Sequence, residues 1–167
     1  MTISAFQSPY VLDNSVISAL HQAGALRRVL ELWTGQWVIP VEVKEEAAAW
    51  RGEAQRIIRI LDDLCAHRIA SYAELDPRAE GPLFARLNRT LGQGESATIA
   101  IAYHRRLGAA LDDYAARRAC ERLAPPVPWI ATEGILRCAV AEGHLSLAET
   151  REIWAATSIR DPKREVT

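Results

Sequence analysis

Two kinds of apolar pattern alternate along the chain, and the alternation itself predicts a fold class. Short unbroken apolar runs, "YVL" at residues 10–12, "WVIP" at 37–40, "AAL" at 109–111 and "WIA" within "PPVPWIA", read as strands covered on both faces. Between them lie longer stretches whose apolar residues return every three or four positions, as in helices with one buried face. "SVISALHQAGALRRVLELW" reads as one helix, or two broken near Gly24. "VEVKEEAAAW" opens a helix after Pro40, and "EAQRIIRILDDLCAH" places Ile57, Ile58, Leu61 and Leu64 on one stripe. "RIASYAEL" reads as a further strand, "DPRAEGP" as the most loop-like stretch, and "LFARLNR" as a short helix. "QGESATIAIAYHRRLG" is a helix rich in small residues, suited to close packing in the core. "YAARRACERLA", "TEGILRCAVAEGHLS" and "LAETREIWAATS" complete the helices, and the polar "IRDPKREVT" is expected to be loose.

Strands separated by helices predict a three-layer α/β/α sandwich around a central, mostly parallel sheet. With no repeat, low-complexity block or linker, the expected division is one domain over residues 1–158 and a polar tail over 159–167. The 167 residues suffice for one sizeable core.

Composition narrows the class. With 49% apolar and 25% charged residues the chain reads as globular and soluble. It lacks the roughly 18 uninterrupted apolar residues of a membrane helix, and no basic-then-apolar leader opens it. A cytoplasmic protein without membrane association is expected. Cys65, Cys120 and Cys138 are odd in number and widely spaced, as reduced thiols would be. The four histidines are scattered, so zinc is not expected. A net charge of −1 gives no general attraction to nucleic acid. The paired arginines Arg27–Arg28, Arg105–Arg106 and Arg117–Arg118 suit bidentate phosphate contacts, although solvated helix faces give the same composition.

The acids carry the chemistry. Ligands of parallel α/β sheets bind outside the carboxyl ends of the strands. Asp13 follows "YVL" and precedes Asn14 and Ser15, good residues for opening a helix. It is therefore a helix cap, or a site residue if other carboxylates reach the same edge. Asp112 or Asp113, after "AAL", would do so. Glu95 in "LGQGES" lies in the first turn of its helix, where the macrodipole favours a carboxylate. Glu42, Glu45 and Glu46 read first as a solvated helix face, with one free to point toward the edge. If these regions converge, repulsion raises the carboxyl pKa values unless a cation neutralises them. Oxygen-only ligation favours Mg2+ or Mn2+, and such a site suits phosphodiester hydrolysis. No side-chain nucleophile is then required, and Ser96 lacks the GxSxG setting of a nucleophile elbow.

The ordered set "VLDNSVIS", "WVIPVEVKEEA", "LGQGESATIAIA", "LDDYAARRACERL" and "PWIATEGILRCAVAEGHLS" resembles PIN domains, and among them prokaryotic nucleases related to VapC-type toxins. The resemblance runs from about Tyr10 to Ser146, and "LGQGES" followed about 18 residues later by "LDD" carries most of it. It implies a PIN fold and a divalent-metal ribonuclease site, with RNA as substrate. Asp13 matches the family's first aspartate. Glu46 matches its glutamate best, with Glu45 the nearest rival. Glu95 stands at the third acidic position, and Asp112–Asp113 matches the double aspartate. Asp112 is then the metal-side ligand, and Asp113 an added ligand or a cap for the helix beginning at Tyr114. Asn14 and Ser15 match the small polar residues after the first aspartate, with Ser15 the better support for it. Arg105, Arg106, Arg117 and Arg118 become RNA-backbone contacts, although Arg117 could pair locally with Asp113. A small antitoxin protein and a homodimer are the implied partners. Thr132 departs from the pattern, lying in "IATEG" rather than in a glycine–threonine pair.

Two rival readings stand beside this one. "GQGESA" fits a GxGxxA dinucleotide fingerprint, with Asp112 at about the distance of a ribose ligand. That motif requires a preceding strand, where "PLFARLNRTL" reads as helix. The other rival is a catalytically silent PIN-like module that binds a partner. Trp33, Trp37, Trp50 and Trp154 would serve such a surface, or pack in the core and at its boundary.

Overall fold

The structure, a computed structural model, describes residues 9–161 and 163–166. The opening eight residues, on which the expectation of no leader falls, and Pro162 and Thr167 lie outside the described residues. Among the described residues five strands form one sheet: β1 (Tyr10–Leu12), β2 (Trp37–Pro40), β3 (Ala70–Ala73), β4 (Gly108–Ala110) and β5 (Trp129–Ile130). All pairs are parallel, in the order β3-β2-β1-β4-β5. The chain steps outward from β1 to β3, then returns to lay β4 on the other side of β1. The β1–β4 boundary is therefore the switch point at which α/β sheets place their ligands.

Helices cover both faces, as the apolar runs require. They are α1 (Asn14–Gln22), α2 (Leu26–Leu30), α3 (Val41–Ala48), α4 (Ala54–Ala66), α5 (Gly81–Leu87), α6 (Gln93–Arg105), α7 (Tyr114–Arg122), α8 (Thr132–Ala141) and α9 (Leu147–Ala156). The predicted break falls at Gly24, whose φ of +66° suits a residue without Cβ. The alternation of β1 divides the core. Leu12 joins Ile17, Leu26, Ile57, Leu61 and Ile135 in one layer, whereas Val11 joins Ile99, Ile101, Leu111 and Cys120 in the other. The small-residue helix α6 is buried along most of its length, from Ser96 to Ala102, against the sheet.

One expectation is corrected. The tail is docked rather than loose: Val166 is buried in the core, Arg137 donates to the Glu165 carbonyl, and Arg164 reaches inward to Asp112 and Glu133. A segment whose aliphatic residues are only Ile159 and Val166 has no periodicity of its own, so its docking depends on partners supplied by the folded body. Of the two readings given for the tryptophans, core packing holds for Trp33 and Trp37. Among the described residues the exposed large hydrophobic side chain is Tyr114.

Gly108 lies opposite Tyr10 across the β1–β4 ladder, and a Cβ there would stand 2.4 Å from the Tyr10 ring. Gly108→Ala is expected to destabilise the fold by about 1–3 kcal/mol through overpacking, as read from the denaturant midpoint.

Candidate active site

Asp13 leaves the end of β1 and caps α1. Its Oδ2 accepts the Ser15 amide at 2.9 Å and the Ser15 hydroxyl, so the helix-capping reading is correct. The carboxylate is only 2% exposed, and Oδ1 is buried without a hydrogen-bond partner among the described residues. Capping leaves half of the carboxylate unsatisfied, and a group left so normally answers to water, a ligand or an ion. Ser15 also ties the strand ends together, because its Oγ accepts the Asp112 amide at 3.0 Å. The neighbouring Asn14 accepts from Ser18 in its own helix instead.

Glu46 and Glu95 come from the next two layers of the edge. Glu46, on α3, accepts the Gly94 amide at 2.7 Å, in the first turn of α6. Glu95 reaches back to the Gly92 amide at 3.1 Å. Gly94 permits the first contact, since a Cβ there would lie 2.5 Å from Glu46 Oε2. Glu45 is exposed. Glu42 lies one turn before Glu46 on the same face, with Oε2 buried and unpartnered. Of the three, Glu46 is the one that touches the α6 N-terminus.

The acids feel one another. Burial pushes the Asp13 carboxyl up, the charge of Glu46 adds to the rise, and the Ser15 bonds oppose it. Burial also raises Glu95, with the charges of Asp13, Asp113 and Glu46 acting in the same direction.

The aspartate pair divides. Asp113 is exposed and caps α7, its Oδ1 accepting the Ala116 amide at 2.9 Å. Asp112 turns toward α8: Oδ1 accepts the Thr132 amide at 2.9 Å, and Oδ2 the Thr132 hydroxyl at 2.7 Å. Arg164 donates to Oδ1 as well, and it bridges to Glu133, a further carboxylate only 8% exposed. Glu133 and Arg164 were missed from the sequence. Glu133 could have been found, because it opens the helix after β5 much as Asp13 precedes the helix after β1. No spacing or periodicity marks Arg164.

Three of the four arginines expected to contact RNA have partners within the protein. Arg105 donates to the buried Glu80 at 2.7 Å and to the Glu74 carbonyl. It also lies about 15 Å along α6 from Glu95, as does Arg106 beside it, where the chain approaches the opposite edge of the sheet. Arg117 packs over the Trp129 ring at 5.0 Å rather than pairing with Asp113. Arg118 pairs with Glu121 at 2.6 Å. The dinucleotide reading lacks its strand, since α5 and a turn precede Gly92.

Among the described residues, no three His, Cys, Asp or Glu side chains stand in ready-made metal-ligating positions. The physical reason is visible in the bonds just given: Glu46, Glu95 and Asp112 each answer an internal donor. The donor set nevertheless fits a hard divalent cation, being oxygen throughout and including the unpartnered Asp13 Oδ1.

A parallel sheet with helices on both faces and acids gathered at its switch point defines an α/β protein of the acidic-edge class. The sequence profile of the DUF3368 family, a PIN domain, matches residues 9–155, and the chain belongs to the PIN-domain family. PIN domains are a nuclease-type fold, commonly metal-dependent. No curated protein matches the sequence.

Two outcomes are expected. Asn caps helices as well as Asp does, so Asp13→Asn removes the buried charge and keeps the cap. A carboxyl raised on folding binds its proton more tightly in the native state, so stability falls as pH rises from about 4 through the raised value. Metal-free Asp13→Asn is therefore expected to melt above wild type at neutral pH and to lose that advantage near pH 4. Gly94→Ala, at a helical position, is expected to leave the melting temperature unchanged or higher by virtue of helix propensity. It should displace the flexible Glu46 carboxylate, which a crystal structure of the variant would record.

Proposed function

We propose that the chain is a metal-dependent endoribonuclease whose catalytic acids are Asp13, Glu46, Glu95 and Asp112, with Asp113 beside them. The observation that carries this reading is the Asp13 carboxylate: buried, half unsatisfied, and subject to the charges of Glu46 and Glu95. Asp13, Glu46 and Glu95 would hold Mg2+ or Mn2+, with Asp112 and Asp113 at the rim. The bound ion would acidify a water molecule and screen the phosphate charge. Ser15 fixes Asp13 against the end of β4, so the acid keeps its aim at little further entropic cost. Thr132 does the same for Asp112 from α8. Glu46 and Glu95, with longer side chains, can turn from the Gly94 and Gly92 amides toward a ligand.

The finer roles rest on the resemblance to VapC-type toxins: RNA as substrate, a small antitoxin covering the acidic edge, a homodimer and a cytoplasmic setting. No helix is long and apolar enough to cross a membrane among the described residues. One observation favours the silent partner-binding module instead, namely that Glu46, Glu95 and Asp112 are already hydrogen-bonded within the protein.

The two readings separate on a mixed RNA pool, with a matched DNA pool alongside. Cleavage is expected with Mn2+ or Mg2+ and not with a chelator, reduced about 100-fold or more in Asp13→Asn and in Glu95→Gln. Equal rates in wild type and both variants would overturn the acidic site, and an inert wild type would favour the silent module.

A further inference from the structure

We propose that Arg164 is a built-in cation of the acidic edge that restricts it to a single divalent ion. This rests on the metal-binding reading above and concerns the half of the edge that Asp112 and Glu133 occupy. Asp112, Glu133 and Arg164 have side-chain exposures of 9%, 10% and 11%. Two carboxylates this well buried and this close would drive each other toward the neutral form if left alone. Arg164 removes that conflict through Nε and Nη2 of its guanidinium. Nε donates to Glu133 Oε1 at 3.0 Å, and Nη2 to Glu133 Oε2 at 2.7 Å and also to Asp112 Oδ1. Nη1 reaches the Asp112 carbonyl at 3.5 Å. Guanidinium stays charged at any ordinary pH, so the neutralisation is permanent.

The backbone holds the residue in place. Arg164 donates its amide to the Asp161 carbonyl at 3.0 Å. Two residues on, Val166 is buried in the core, and Glu165 between them accepts from Arg137. This is a seated side chain, not one draped over the surface.

The consequence is an asymmetric edge. Asp112 Oδ1 already accepts two bonds, from Thr132 and Arg164. On the other half, among the described residues, Asp13 Oδ1 has no hydrogen-bond partner, and the charges that act on Asp13 and Glu95 are those of other carboxylates. A two-ion site needs carboxylates free on both sides, and here the guanidinium occupies one side. Without Arg164, Asp112, still held by Thr132, and Glu133 become a pair of carboxylates with no cation between them, able to hold a second ion.

Titration calorimetry with Mn2+, supported by electron paramagnetic resonance for coupled ions, tests the proposal. Wild type and Arg164→Lys are expected to bind one ion, and Arg164→Ala and Arg164→Gln two. Adding Glu133→Gln to Arg164→Gln should return the count to one. Circular dichroism checks folding, and if neither neutral variant folds the wild-type count decides. Two ions in wild type, or one in the folded neutral variants, would overturn the role of Arg164 while leaving the metal site standing. No binding by any variant would overturn both.

Discussion

Like charges gathered in a low-dielectric corner are the constraint on which the rest of this structure turns. The carboxyl edge of the sheet brings Asp13, Glu46, Glu95 and Asp113 into mutual electrostatic reach. It adds Asp112 and Glu133 beside them. Burial raises the energy of every charged form, and each neighbour raises it again. The fold answers with a distinct local device at each carboxylate. Asp13 is half satisfied by the start of α1, Glu46 and Glu95 by amides at the start of α6, and Asp112 by the start of α8. Helix N-termini are suited to this task, since their first amides have no partner within the helix.

The same economy explains why the edge can be so narrow. Gly94 lets Glu46 approach the backbone of α6, and the small residues that follow let that helix lie close to the sheet. Ser15 both donates to Asp13 and accepts from Asp112, so one hydroxyl sets the spacing between two strand ends. The site is therefore an outcome of close packing at the switch point rather than of a loop laid over it.

Much of this was legible in the sequence, for reasons that can be named. The apolar runs and helical stripes marked the strands and helices, because doubly covered strands cannot alternate and half-covered helices must. Asp13, Glu95 and the aspartate pair were visible as acids placed after a strand or at a helix start. The residues alone left Glu42, Glu45 and Glu46 open, the resemblance favoured Glu46, and its bond to the Gly94 amide sets it apart. Asp112 and Asp113 differ by one position, and the cap taken by Asp113 is what sends them to different partners. The pairing of Arg105 was not legible because its partner, Glu80, is 25 residues away and buried. Arg164 escaped notice because nothing in a short polar tail announces that its guanidinium fits between two carboxylates over 30 residues upstream.

That docking also has a dimension in time. Synthesis proceeds from Asp13 toward Arg164, so every carboxylate of the edge is made before the cation that balances two of them. A nascent chain that has completed β4 and α8 carries the full negative charge with none of the tail's compensation. The edge reaches its final electrostatic state only when the segment that carries Arg164 has left the ribosome and closed on the body. Until then the acids stand open to whatever cation the surroundings supply.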